Sequence, residues 1–297
     1  MSGDPYALDG RRVRAAFNAA AEGYDAVAVV QTEVRQRLLE RLGLFRLAPA
    51  RILDAGCGTG HAGPALLRRY RGSALVALDL APAMLAAARR RRRWLQRLDA
   101  VCADAAALPL CDASVDLVFS NLMLQWCNEP DRVFAEFRRV LRPGGLLLFS
   151  TFGPDTLREL RAAWQAADGH THVSRFVDMH DLGDALLRAG LAEPVMDAEH
   201  LTLTYDDLHG LMRDLKSMGA HNATEGRSRG LTGRRRLARV VAHYETLRRD
   251  GRLPATWEIV YGHAWAPARA ATRAANPGGE SAGEVSIPLA RLGRRAR

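Results

Sequence analysis

A short apolar strand that runs straight into alternating glycines constrains this chain more than any other feature. Residues 51–54 read Arg-Ile-Leu-Asp, and Gly56, Gly58 and Gly60 follow in Asp54-Ala55-Gly56-Cys57-Gly58-Thr59-Gly60. Glycine turns with positive φ at little cost and leaves no Cβ between the backbone and an approaching ligand. A buried strand ending in such a turn fits an open parallel sheet, in which ligands bind outside the C-terminal strand ends.

The rest of the chain keeps that plan. The apolar spacing predicts helices over 8–21, 31–46, 60–70, 82–93 and 130–141, and strands over 74–79, 100–104, 115–120 and 146–151. Strand–helix alternation of this kind implies a doubly wound α/β sheet with helices on both faces. Further helices are expected over 155–168 and 180–189, with strands near 194–204 and 256–265. Residues 205–252 read mostly helical and are far longer than a simple connection needs. This insertion and the N-terminal helices, 8–46, form the expected lid on a domain spanning 1–266.

Three acids close three successive strands: Asp54, Asp79 and Asp104. Gly58, Gly60 and Gly63 also satisfy a dinucleotide spacing, so a nicotinamide nucleotide is one candidate ligand. Asp54 argues against it, because a carboxylate there repels a pyrophosphate but accepts a hydrogen bond from an ammonium. Asp79 suits two ribose hydroxyls in either ligand. Asp104 suits an adenine amino group. Together they favour S-adenosyl-L-methionine (AdoMet) over the plain alternative of three helix caps.

These motifs, with Leu141-Arg142-Pro143-Gly144-Gly145, resemble the class I AdoMet-dependent methyltransferases. The resemblance implies a Rossmann-like, seven-stranded, mostly parallel sheet whose last strand, near 257–265, is antiparallel. Longer stretches, Phe17 to Asp25, Ser120 to Cys127, Ser150 to Leu157 and Leu215 to Ala220, are similar to the malonyl-acyl-carrier-protein O-methyltransferases of biotin synthesis. That similarity runs from about residue 11 to 266 and implies methyl transfer to the free carboxylate of a malonyl thioester. It also implies an acidic, malonyl-loaded acyl carrier protein as partner.

Such a carboxylic acid ionises near the Asp reference of about 3.9, so no general base is required. The enzyme must align the reactants and hold the carboxylate, work suited to Arg or Lys. Lys216 and Arg213 share a helical face three residues apart, and Arg175 lies in a nearby loop, so these three are the candidate anchors. Tyr24 is expected to close over the sulfonium. The expected cofactor residues are Asp54, Gly56, Gly58, Gly60, Asp79, Leu80, Met84, Asp104, Ala105, Asn121 and Gln125. Trp126 remains eligible, His61 is expected to cap the helix after the glycines, and His221 and Asn222 stand close to Lys216.

Composition narrows the alternatives. No apolar run is long enough to span a bilayer, and residues 1–25 lack the pattern of a secretory signal. The four cysteines, Cys57, Cys102, Cys111 and Cys127, include no C-x-x-C pair and are expected as small buried hydrophobes in a reduced, cytoplasmic protein without a metal. The net charge is +9, and Lys216 is the one lysine among 42 basic residues. Residues 267–297 form a basic tail, and Arg89 to Arg93 with Arg97 a second basic block. Both read as solvated surface that steers an acidic partner, with no nucleic-acid signature. A quinone-type C-methyltransferase, a nucleic-acid methyltransferase and a non-catalytic AdoMet-binding assembly factor are the rival readings.

Overall fold

The computed structural model describes residues 6–91, 97–168, 172–219 and 233–268. His221, Asn222, Arg92, Arg93 and all but the start of the basic tail lie outside the described residues. In chain order the elements are α1 (Gly10–Ala20), α2 (Tyr24–Val27), α3 (Val29–Arg41), β1 (Arg51–Ala55), α4 (Ala62–Arg69), β2 (Ala74–Asp79), α5 (Pro82–Arg91), β3 (Leu98–Cys102) and β4 (Val115–Asn121). They continue with α6 (Pro130–Val140), β5 (Leu141–Phe152), α7 (Arg158–Ala167), α8 (Met179–Arg188), β6 (Ala192–Tyr205), α9 (Leu208–Ser217), α10 (Arg234–Glu245) and β7 (Leu253–Trp265).

One seven-stranded sheet runs in the order β3-β2-β1-β4-β5-β7-β6. β1 to β5 pair in parallel, and β7 runs antiparallel to both β5 and β6. The order reverses between β2 and β4, either side of β1, so the crevice of this sheet opens where the glycines leave β1. Strand residues alternate between the two faces. Ile52, Leu75, Phe119 and Leu148 enter one buried cluster with α3, α4 and α7, whereas Leu53, Val118, Leu147 and Phe149 enter the other with α6 and α8.

Several boundaries differ from expectation. The expected 31–46 helix ends at Arg41 and tightens into a 3-10 turn over Leu42–Leu44, centred on Gly43, a poor helix former. Phe45 is thereby freed to lie edge-on to His263 and Trp265 of β7. β5 starts at Leu141, before the Pro-Gly-Gly turn residues rather than after them. Gly144 donates to the carbonyl of Ala266, and Ala266 donates back to Gly145, so the segment is held as sheet. Within the insertion, α10 packs along α7, burying Val240 and Tyr244 in the core, and the Tyr244 hydroxyl donates to Pro254 O at 2.8 Å. α9 packs instead against α2 and β6. Cys57 is buried and Cys127 half-buried, but Cys102 and Cys111 are exposed, because β3 lies at the sheet edge and Cys111 falls in a surface loop.

Candidate active site

The turn after β1 is shaped by two close approaches and one open face. A Cβ on Gly56 would meet Met123 Cγ at 2.3 Å, and one on Gly60 would meet Ala88 Cβ at 2.6 Å. Those two glycines let the turn pack against the loop after β4 and against α5. Gly58 has φ of +53° and a Cβ there would meet nothing within 4 Å. Its backbone N–H donates to Asp79 Oδ2 at 2.9 Å, while Ala81 N–H donates to Asp79 Oδ1 at 2.8 Å. One carboxylate thus organises both the glycine turn and the start of α5. Burial still pushes the Asp79 carboxyl above its ordinary range, against those backbone bonds.

A cavity of about 250 Å3 opens at these strand ends. Of the expected cofactor residues, Gly56, Gly58, Asp79, Leu80, Met84, Asp104, Ala105 and Asn121 line it, as does Tyr24. Asp104 Oδ1 accepts from Ala106 N–H at 2.9 Å, a local turn bond that leaves the carboxylate further acceptor capacity. Asn121 is fixed from two sides: Ser150 Oγ donates to its Oδ1 at 3.1 Å, and its Nδ2 donates to Gln31 O at 3.2 Å.

Asp54 lies behind this lining, only 2% exposed, and its Oδ2 has no hydrogen-bond partner among the described residues. Burial, and then the charge of Asp79, push its carboxyl up to about 7, with the Arg35 charge pulling the other way. A buried acceptor without a donor is costly and calls for a ligand that supplies one. AdoMet passes that test: it brings an ammonium for Asp54, ribose hydroxyls for Asp79 and an amino group within reach of the acceptors lining the cavity. A pyrophosphate would bring negative charge to a site already holding three acids.

Aromatic residues roof the cavity. Phe17 lies edge-on to Trp126 at 5.1 Å and to Tyr24 at 6.4 Å, and all three line it. Burial first, then the charges of Asp79 and Asp25, raise the Tyr24 phenol above its ordinary value, so it stays protonated. α1 is tied down where Asn18 Oδ1 accepts from Ala83 N–H at 3.0 Å, in the first turn of α5. α2 is tied down through Asp25, which accepts from Thr59 Oγ1 at 2.6 Å, pairs with His61 Nε2 at 3.0 Å and binds Arg91. His61 therefore does not cap α4 with its side chain: its ring turns to the Asp25 carboxylate instead. Neither Phe17 nor Asp25 had a separate sequence signal beyond membership of the Phe17–Asp25 stretch.

A second cavity of about 980 Å3 adjoins the first, and Leu8, Cys127 and Asn128 line both. The N-terminal segment is clasped there: Leu8 N–H donates to Asn128 Oδ1 at 2.7 Å, and Asn128 Nδ2 donates back to Leu8 O at 2.9 Å. Gln125 faces this larger cavity rather than the acid-lined one, held between Thr151 Oγ1 and Leu122 O. Arg175 also lines it, exposed in its loop. Arg213 and Lys216 lie exposed on α9 and line neither cavity. Arg161, which sequence reasoning missed among so many arginines, does line it. Cys127 sits in the shared wall, and burial, followed by the Asp104 charge, pushes its thiol up to about 12. A protonated thiol is a poor nucleophile, so this sulfur does not compete for a methyl group.

Comparisons with known proteins agree with this geometry. Residues 53–149 match the family model described as a methyltransferase domain. The YcgJ protein of Bacillus subtilis superposes with a TM-score of 0.57 at 16% identity, covering 78% of this chain and 99% of that one, a likeness of fold. The malonyl-[acyl-carrier protein] O-methyltransferase of Methylovorus sp. (strain MP688) is 58% identical, covering 90% of this chain and 92% of its own length. The enzyme of the same name from Gallionella capsiferriformans (strain ES-2) is 54% identical over 89% of this chain and 93% of its own. That of Halorhodospira halophila (strain DSM 244 / SL1) is 51% identical over 99% of both. With its crossover order, acid-lined crevice and near full-length similarity, the chain belongs to the malonyl-[acyl-carrier protein] O-methyltransferases, an AdoMet-dependent class I methyltransferase family.

Proposed function

We propose that this protein methylates the free carboxylate of a malonyl group held as a thioester on an acyl carrier protein. The carrying observation is the junction of the two cavities. An acid-lined pocket suited to a cationic ligand abuts a larger chamber whose wall holds the Arg161 and Arg175 guanidiniums, and Leu8, Cys127 and Asn128 form the wall they share. A phenol or an activated carbon must lose a proton to accept a methyl, whereas a malonyl carboxylate is already ionised.

AdoMet, when bound, supplies an electrophilic methyl on a sulfonium. The chain's own residues bind and align. Asp54 and Asp79 favour the cationic cofactor, and Asp104 offers an acceptor at the adenine end. Gly58 leaves room for it, and the Phe17, Tyr24 and Trp126 roof excludes water, which strips the nucleophilic oxygen of competing hydrogen bonds. The protonated Tyr24 phenol acts by position and not as a base.

The carrier protein as partner is supported by the net charge of +9, which speeds encounter with an acidic molecule. The product has an uncharged end, so a chain-extending system handles it as an ordinary acyl group; this fits the first step toward pimeloyl in biotin synthesis. The test uses methyl-labelled AdoMet with malonyl-loaded and acetyl-loaded carrier. The expected result is a base-labile methyl ester on the malonyl carrier alone. Turnover on a phenolic or quinone substrate with none on the malonyl carrier would overturn the proposal.

A further inference from the structure

The larger cavity holds a guanidinium whose position the family reading does not use. Arg161, in the first half of α7, is half-buried. Its Nη1 donates to Pro154 O at 2.8 Å and its Nη2 to Thr156 O at 3.0 Å. Both acceptors lie in the turn before α7, so the planar head is braced by backbone and not by a flexible neighbour. Several arginines, such as Arg37, Arg41, Arg139 and Arg142, have carboxylate partners, whereas Arg175 in the same wall has no ion pair among the described residues but is exposed. Arg161 forms no ion pair among the described residues. Asp155, an acid close enough to act on its charge, is engaged by Arg158 at 3.2 Å and His200 at 3.3 Å. Of the three acids of the cavity wall, Asp168 pairs with His172 and Arg236, Asp178 caps α8, and Asp181 is exposed in the first turn of α8. Burial lowers the Arg161 pKa, and Asp155 and then Tyr6 pull it the other way without offsetting the lost water.

A guanidinium has five N–H donors, and the two carbonyls account for two of them. The remaining donors match an anionic, planar group, since Arg and carboxylate form paired, charge-assisted bonds. We infer that Arg161 is the residue that holds the carboxylate of the acyl acceptor in the larger cavity, in place of Lys216, Arg213 or Arg175. This rests on the malonyl reading given above and deepens it by naming the specificity determinant. The assignment has a consequence for turnover. Arg161 pairs with the charged substrate, and the neutral methyl ester gives it nothing to pair with, so product is released in favour of new substrate.

The test compares two ligands on one carrier. Binding of malonyl-loaded and acetyl-loaded carrier is measured in the presence of S-adenosylhomocysteine, which permits no methyl transfer. Wild-type protein is expected to prefer the malonyl form. In Arg161→Met that preference is expected to shrink by roughly 10- to 100-fold, the range for a hydrogen-bonded charge, with S-adenosylhomocysteine affinity unchanged. Arg161→Lys, which keeps the charge, is expected to retain part of the preference. A structural role alone, or a grip on the carrier's own groups, would weaken both ligands equally and overturn the inference. So would an unchanged preference in Arg161→Met or, if that variant does not fold, in Arg161→Gln. Failure of the parent reading has a different signature: wild-type protein forms no methyl ester from the malonyl carrier, and both proposals then fall.

Discussion

The two adjoining cavities differ in how their charged groups are partnered. The smaller gathers Asp79 and Asp104 in its wall, with Asp54 buried behind them, its Oδ2 unpartnered. The larger carries Arg161, which forms no ion pair among the described residues, beside Asp168 and Asp178, which are engaged elsewhere, and the exposed Asp181. A folded chain tolerates a buried charge without a partner only where some other gain maintains it. At a site open to ligand, that gain is a molecule of opposite charge. The contrast therefore reads the ligands from the protein: a cation with hydroxyl and amino donors on one side, an anion on the other, meeting at Leu8, Cys127 and Asn128.

That contrast can be broken from the acidic side first. Asp79→Ala removes the acceptor for the ligand hydroxyls and frees the Gly58 turn as well. It is expected to weaken AdoMet binding by about 100-fold in calorimetry, the upper end for charged hydrogen bonds. Gly58→Ala puts a methyl in the open space beside the cofactor cavity. A loss of roughly 10- to 50-fold in AdoMet affinity is expected, with a stability cost of only about 1 kcal/mol for the left-handed turn. Equal losses of stability and affinity would show that Gly58 serves the fold rather than the ligand.

Asp54 sharpens the comparison because stability and binding should move in opposite directions. Its carboxyl is raised from 3.8 to about 7 in the folded protein, so the folded state holds the proton more tightly than the unfolded one. The unliganded protein accordingly loses stability as pH rises from about 4 through about 7, the window between those two values. Asp54→Asn is expected to reduce that slope, leaving the part carried by the raised Asp79 carboxyl, and to melt higher than wild type at pH 8 without ligand. The same variant should bind AdoMet about 10-fold more weakly, from the loss of one charge-assisted bond. In wild type, AdoMet binding should tighten as pH rises toward 7 and the Asp54 carboxylate forms. A variant that melts lower and binds equally well would mean Asp54 is a structural acid with no ligand to meet.

Smaller effects test the roof and the surface cations. Asp25→Asn loosens the link between α2 and the glycine turn, and AdoMet is expected to bind roughly 3-fold more weakly, the scale of a partly exposed ion pair. Lys216→Ala should change the Michaelis constant for malonyl carrier by less than about 2-fold, the scatter of an exposed cation away from both cavities. A large effect at Lys216 together with none at Arg161 would reverse the assignment of the anchor.

The acids of the cofactor cavity were legible because each is tied to a strand end. In a parallel sheet the strand ends share one side, so residues that close successive strands converge there regardless of loop detail. Asp54, Asp79 and Asp104 follow that rule. Gln125 does not, because three residues separate it from the end of β4, and the 3-10 turn at Leu124–Trp126 swings it into the other cavity. The acceptor site was harder still. Arg161 is one of many arginines at unremarkable helical spacing, and nothing in its neighbours marks it. Lys216 stood out by composition, yet rarity of a residue type carries no information about where a helix face points.

From its amino-acid order alone, this chain fixed a doubly wound sheet, a glycine turn after β1 and the acids near three neighbouring strand ends. Those are local patterns, and the 2.0 and 3.6 residue periods and φ preferences that write them act over a few neighbours. Only the tertiary structure decided which arginine stands half-buried in a cavity wall, which wall the two cavities share and which helix of the insertion joins the core. Those outcomes depend on residues far apart in the chain, such as Leu8 with Asn128 and Asn18 with Ala83, and on the water each leaves behind. Desolvation and pairing are properties of the assembled interior, and no single stretch of sequence carries them.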